Sequence, residues 1–183
     1  MKWISIDWDY VTDDCRGPLA NTEYCPCWDN KTEHNKHRGK AHLRAPHVLM
    51  EHYDDILKLM QRVRLGKVVV RDCHGDIMHY IKPRDTVFHI DYHLDEEPYD
   101  VDKHGKPLRP PKCYNWIHHA KERDITIEPV SEMLHAVPDG KYNLFLCLSS
   151  PYTNSDYDAL LFRLLMSLPV PVTLYGKVEP SGR

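Results

Sequence analysis

In the segment VFHIDYHLDEE, Val87 to Glu97, the chain places Asp91, His93 and Asp95 at alternate positions and then adds Glu96 and Glu97. A β-strand alternates faces with a period of two, so these three side chains start on one face and can converge just beyond the strand. Two aspartates and a histidine in that arrangement form a metal-binding pattern. Two further clusters share its character: Asp7 and Asp9 close the run KWISIDW, and His74 follows KVVVRD. Four aspartates and two histidines make a hard, oxygen-rich donor set with imidazole support, which suits manganese better than a thiolate zinc site. Four carboxylates gathered without a cation would repel one another, whereas two divalent ions cancel their charge. A pair of ions ~3.5–4 Å apart can share a bridging water, lower its pKa and polarise a substrate, so the expected chemistry is hydrolysis. Aspartates also serve as turn formers and helix caps, but three clusters in register at strand ends favour a site.

The elements that must position these residues alternate along the chain. KWISIDW reads as a strand over Lys2 to Trp8. A loop rich in Cys, His, Asn and Pro follows from Asp13 to Ala45, and loops of that length are usually functional or locally disordered. From Pro46 the residues Leu49, Tyr53, Ile56, Leu57, Met60 and Val63 recur at helical spacing, with Gly66 placed to end the helix. KVVVRD is a buried strand, DIMHYI a short helix, TVFHIDYH a third strand and NWIHHAKE a helix. ITIEPV and YNLFLCLS are strands four and five. Asn154 or Ser155 caps the helix YDALLFRLLMSL, and VPVTLYG offers a weak sixth strand interrupted by Pro171. This alternation predicts one α/β domain over residues 1–183, a three-layer α/β/α fold with a mostly parallel sheet covered on both faces. In such sheets ligands bind beyond the carboxyl ends of the strands, where all three polar clusters fall.

Composition narrows the class. The chain has 183 residues, of which 42% are hydrophobic and 28% charged, an ordinary globular balance. A net charge of −3 with scattered Lys and Arg gives no footprint for nucleic acid. No apolar run approaches the ~20 residues of a membrane span, and MKWISIDWDY carries no signal-peptide core. The six cysteines lack the density of a disulfide framework. A soluble, cytoplasmic protein is expected.

The three clusters together resemble a known family. SIDWD at Ser5 to Asp9 resembles the S-x-D-x-D signature of the arginase-like ureohydrolases, and DYHLD at Asp91 to Asp95 resembles their D-x-H-x-D. DCHGD around His74 resembles their isolated histidine motif. The whole is most similar to the short branch containing peptide arginases, which convert arginine in ribosomally made peptides to ornithine and urea. The resemblance implies two manganese ions per chain. One would be held by His74, Asp91, Asp95 and Asp7, and the other by Asp91, His93, Asp7 and Asp9, so that Asp7 and Asp91 bridge. Asp95 would also hold the bridging hydroxide that attacks the guanidino carbon. In the usual arginases S-x-D-x-D comes after D-x-H-x-D, whereas here it opens the chain, as though the sheet were circularly permuted. The implied partner is an arginine-containing precursor peptide.

Other residues fill supporting roles. In a permuted fold, the loop after strand one would stand where arginases keep their substrate glutamate. Glu23, Glu33 and Glu51 are therefore candidates for the guanidinium, with Glu96 and Glu97 as neighbours of the metals, because a guanidinium is best matched by a bidentate carboxylate. His104, in the acidic loop, is the candidate to protonate the leaving amine, with His118 and His119 as alternatives. DEEPYDVD would form a rim that attracts a cationic substrate. Cys15, Cys25 and Cys27 with His34, His37 or His42 could clip the long loop with zinc, although CPC is tighter than a zinc-ribbon C-x-x-C. Two rival functions stay open: a one-zinc amide deacetylase of the same fold, and a non-catalytic, metal-stabilised module that binds basic peptides.

Overall fold

The computed structural model describes residues 1–11, 50–91, 95–96, 103–104, 111, 115–131, 133–148, 158–170 and 172–174, with only the backbone of 9, 50, 51, 158 and 172–174. Six strands form one sheet: β1 (Lys2–Asp7), β2 (Arg64–Arg71), β3 (Thr86–Ile90), β4 (Thr126–Pro129), β5 (Lys141–Cys147) and β6 (Val172–Leu174). Their order is β4-β3-β1-β5-β2-β6, and every neighbouring pair is parallel. The helices are α1 (Met50–Arg62), α2 (Trp116–Glu122) and α3 (Asp158–Ser167), with 3-10 turns at Trp8–Val11, His74–His79 and Leu134–Ala136. This is the expected three-layer α/β architecture.

Because alternate residues of each strand take opposite faces, the strands bury two separate cores. Ile4, Ile6, Val68, Val70, Ile90, Leu144 and Leu146 meet Tyr53, Ile56 and Leu59 of α1 and Leu164 of α3 on one face. Trp3, Val69, Val87 and Phe145 meet Ile77 and Met78 of the second 3-10 turn and Trp116, Ile117 and Ala120 of α2 on the other. Both faces being covered explains why the strands read as nearly continuous apolar runs.

The crossovers follow one rule. Connections running towards the β6 edge pass over the α1/α3 face, and those running towards the β4 edge pass over the α2 face, as crossovers of a single hand require. Neighbouring strands β1 and β3 therefore leave the sheet towards opposite faces. The crevice between their carboxyl ends is the topological switch point where α/β sheets bind ligands.

Three local expectations are corrected. Gly66 does not end the first helix: α1 stops at Arg62, and Gly66 lies inside β2. The Arg64 N–H donates to Gly140 O at 2.9 Å and draws the chain onto β5. Register then shifts between Leu65 and Val68, and a Cβ on Gly66 would stand 3.1 Å from Lys141 Cε and 3.2 Å from Asn143 Oδ1. The helix end is instead held by Arg62, whose guanidinium donates to the carbonyls of Leu134, His135 and Val137 at 3.1, 3.0 and 2.7 Å. The first strand ends at Asp7 rather than Trp8, because the chain turns there into a 3-10 turn that carries Asp9. DIMHYI belongs to another 3-10 turn that opens at His74. Among the described residues, no helix is long and apolar enough to cross a membrane.

Candidate metal centre

The register of the sheet sets the site in two rungs. Ser5 of β1 lies beside His89 of β3 and Phe145 of β5, and one rung on, Asp7 lies beside Cys147. Asp91 directly follows Ile90, the partner of Ile6, which places it beside Asp7. The 3-10 turn after β2 then lays His74 across these rungs, fully buried, with its ring stacked on Phe145 at 5.8 Å and on Trp116 at 5.1 Å.

Three carboxylates face one nitrogen of that ring. Nδ1 of His74 stands 3.3 Å from Asp7 Oδ2, 3.7 Å from Asp91 Oδ2 and 3.5 Å from Asp95 Oδ2. The ring's other nitrogen, Nε2, shares a 2.5 Å hydrogen bond with Ser5 Oγ. When Nε2–H donates to Ser5, Nδ1 presents a lone pair towards the carboxylates, which is the tautomer a metal ligand needs. The serine of SIDWD thus acts through the histidine.

Two of the three aspartates are braced, Asp91 through its backbone and Asp95 through its backbone and its carboxylate. Ser131 Oγ accepts from Asp91 N at 2.9 Å and donates to Asp91 O at 2.6 Å, while Tyr10 donates its hydroxyl to Ser131 O at 2.6 Å. Asp95 adopts a φ of 48°, a left-handed conformation that aspartate tolerates better than most residues. Its carbonyl accepts the Ile117 N–H at 3.3 Å and its Oδ2 accepts the Trp116 indole N–H at 2.7 Å. Burying three carboxylates together is unfavourable unless positive charge joins them. A divalent cation fits this donor set.

Sequence reasoning missed two contributors. His89, 2% exposed, stands with Nε2 3.6 Å from Asp91 Oδ2 and 3.9 Å from Asp95 Oδ2. The signal was available, since His89 precedes Asp91 by the same two-residue step that links Asp91 to His93. Cys147 forms a second possible ligand group with Asp7 and His74, and its only sequence signal was its place at the end of strand five.

The other predicted residues are placed as follows. Glu96 is exposed and its carboxylate accepts from Lys121 Nζ at 2.8 Å. His104 lies exposed in a turn with Lys103. His118 contacts the Glu96 carbonyl through Nε2. Glu51 lies in the first turn of α1 and Asp9 in the first 3-10 turn, their side chains outside the described set. Glu23, Glu33, His93, Glu97, most of DEEPYDVD and the Cys/His loop lie outside the described residues.

His119, one of the alternative proton donors, is buried. Burial pushes its imidazole below the usual 6.5, opposed by Glu122 and assisted by His118. The unfolded chain therefore takes up a proton that the folded chain resists, so stability is full above about pH 6.5 and falls as pH drops through that value. Urea unfolding midpoints compared at about pH 7.5 and 5.5 are expected to fall less in His119→Leu than in the wild type; equal falls would contradict this.

Fold and donor set together define an α/β chain with a candidate metal centre at its topological switch point. Comparison of the chain with protein-family models, with curated proteins and with solved structures finds no match in any of the three.

Proposed function

We propose that this chain is a metal-dependent hydrolase of guanidino groups, a dimanganese enzyme of the peptide arginase kind that converts arginine in a peptide to ornithine and urea. One observation carries this reading: Asp7, Asp91 and Asp95 meet Nδ1 of His74 within 3.7 Å, and these are the four residues that the resemblance assigns to one ion. Ligands bound about 2.0–2.2 Å from a metal stand about 3.0–3.6 Å from one another, which is close to these spacings. Asp9 and His93 would join Asp7 and Asp91 in holding the second ion.

Bound there, the two ions would supply an activated water to attack the guanidino carbon and positive charge to stabilise the transition state that forms. Asp95, its carboxylate oriented by Trp116, would align the attacking water. Ser5 and Trp116 hold His74 against rotation. A carboxylate among Glu23, Glu33, Glu51 and Glu96 would grip the guanidinium, and Glu96 could exchange Lys121 for it at small cost, because exposed ion pairs contribute little. His104 would protonate the leaving amine. A reducing, cytoplasmic setting suits the buried cysteines Cys73 and Cys147.

The test is mass spectrometry of unacetylated arginine peptides, and of free arginine in parallel, after incubation with manganese-loaded protein. The expected result is a loss of ~42 Da per arginine with an equal amount of urea, the outcome of two-metal hydrolysis of a guanidino group. Unchanged masses on both substrates, with two ions bound, would sink the proposal. His89 is the observation that favours the rival zinc amide hydrolase, because a second imidazole suits zinc; acetate released from an acetyl-lysine peptide would identify it.

A further inference from the structure

The geometry points to His89 as a direct ligand of the inner metal ion, in a four-donor position made by His74 Nδ1, His89 Nε2, Asp91 Oδ2 and Asp95 Oδ2. The four distances between the imidazole nitrogens and the carboxylate oxygens are 3.7 and 3.5 Å from His74 and 3.6 and 3.9 Å from His89. Hydrogen bonds between such atoms would draw them to about 2.7–3.0 Å. A tetrahedral ion with bonds of about 2.0–2.2 Å instead holds its ligands about 3.3–3.6 Å apart. His74, His89 and Asp91 also place one ligand atom each within 4.8 Å of one another, with all three residues buried.

Packing presets the position. The Trp116 ring stacks on His74 at 5.1 Å, meets His89 edge-on at 5.2 Å and donates to Asp95 Oδ2 at 2.7 Å. One side chain thereby fixes three of the four donor residues. Asp7, whose Oδ2 stands 3.3 Å from His74 Nδ1, is then assigned to the outer position. The two positions then differ in chemistry: the inner has two nitrogens and two oxygens, and the outer is richer in oxygen. An ion of borderline softness such as zinc or cobalt is favoured inside, and manganese outside. This position rests on the proposed hydrolase site and revises its inner ligand set, with His89 in place of Asp7; the assignment is independent of which bond the enzyme cleaves.

Stepwise titration of metal-free protein with Co²⁺ tests it, read by visible absorption. The first equivalent is expected to give the intense bands of a four-coordinate ion in the wild type and in His93→Gln. In His89→Gln those bands should be lost and affinity for the first ion should fall at least about tenfold, with circular dichroism confirming the fold. An unchanged spectrum and affinity in His89→Gln would overturn the assignment and leave His89 as a neighbour of the carboxylates only. X-ray absorption of wild type carrying one equivalent of zinc reads the same point without a variant: two imidazoles per ion are expected, and one would refute it. Neither readout involves turnover, so absence of ornithine with the cobalt bands present would remove the guanidino reading and keep the metal position.

Discussion

Replacing Asp91 by alanine is expected to abolish conversion of arginine to ornithine and to strip the protein of most of its metal. Asp91 is a carboxylate shared by both proposed ions, and it contacts both His74 and His89 across the site. A metal ion contributes several kcal/mol of transition-state charge stabilisation, and each ~1.4 kcal/mol is a factor of ten in rate, so a loss of at least about 10³-fold follows. The effect on stability has the opposite sign. Without metal, Asp7, Asp91 and Asp95 repel one another in a buried site, and removing one charge relieves that repulsion. The backbone bonds between Asp91 and Ser131 do not need the side chain. Metal-free Asp91→Ala should therefore melt no lower than metal-free wild type. Chelation should lower the melting temperature of the wild type alone, since an ion at about 100 times its Kd stabilises by about 2.7 kcal/mol. A variant that melts well below the wild type in chelator would show that Asp91 is a structural residue.

Trp116→Ala is expected to be the most destabilising substitution near the site. The indole is fully buried and belongs to the α2-side core with Trp3, Ile77, Val87 and Phe145. Truncating a buried tryptophan removes apolar contact and leaves a cavity, at a cost of about 3–5 kcal/mol. That is a large part of the total stability of an ordinary domain. Trp116→Phe separates packing from positioning. It keeps an aromatic ring for His74 and loses the N–H bond to Asp95 Oδ2, a bond to a charged group worth about 1.5–3 kcal/mol. Metal affinity in Trp116→Phe should fall about 10–100-fold, the usual effect of removing a partner that orients a ligand. Chemical unfolding and metal titration of both variants check these effects. Trp116→Phe with unaltered metal affinity would mean that the indole merely fills space.

The order of elements and the end of the sheet that carries the candidate site could be read without coordinates. β-Branched runs such as KVVVR mark buried parallel strands, and a parallel sheet directs its ligands to the carboxyl ends. Asp7, His74, Asp91 and Asp95 were legible on that basis. Gly66 misled because a glycine after a helical pattern reads as a stop, while pairing with β5 pulled that stretch into β2. Glu96 looked like a free carboxylate beside the metals, but packing of α2 brings Lys121 onto it.

Tertiary structure alone decided which strands became neighbours. Insertion of β5 between β1 and β2 puts Phe145 beneath His74 and Cys147 beside Asp7. The pairing of β1 with β3 sets His89 on the Ser5 rung, directly below the carboxylates. Period-two alternation tells which face a side chain leaves by, because that is local backbone geometry. Strand order follows from how the whole chain covers two apolar faces at once, and no stretch of sequence encodes that by itself. Asp7, His74, Asp91 and Asp95 were therefore named by sequence, and the meeting of the three carboxylates at one histidine was the work of the fold.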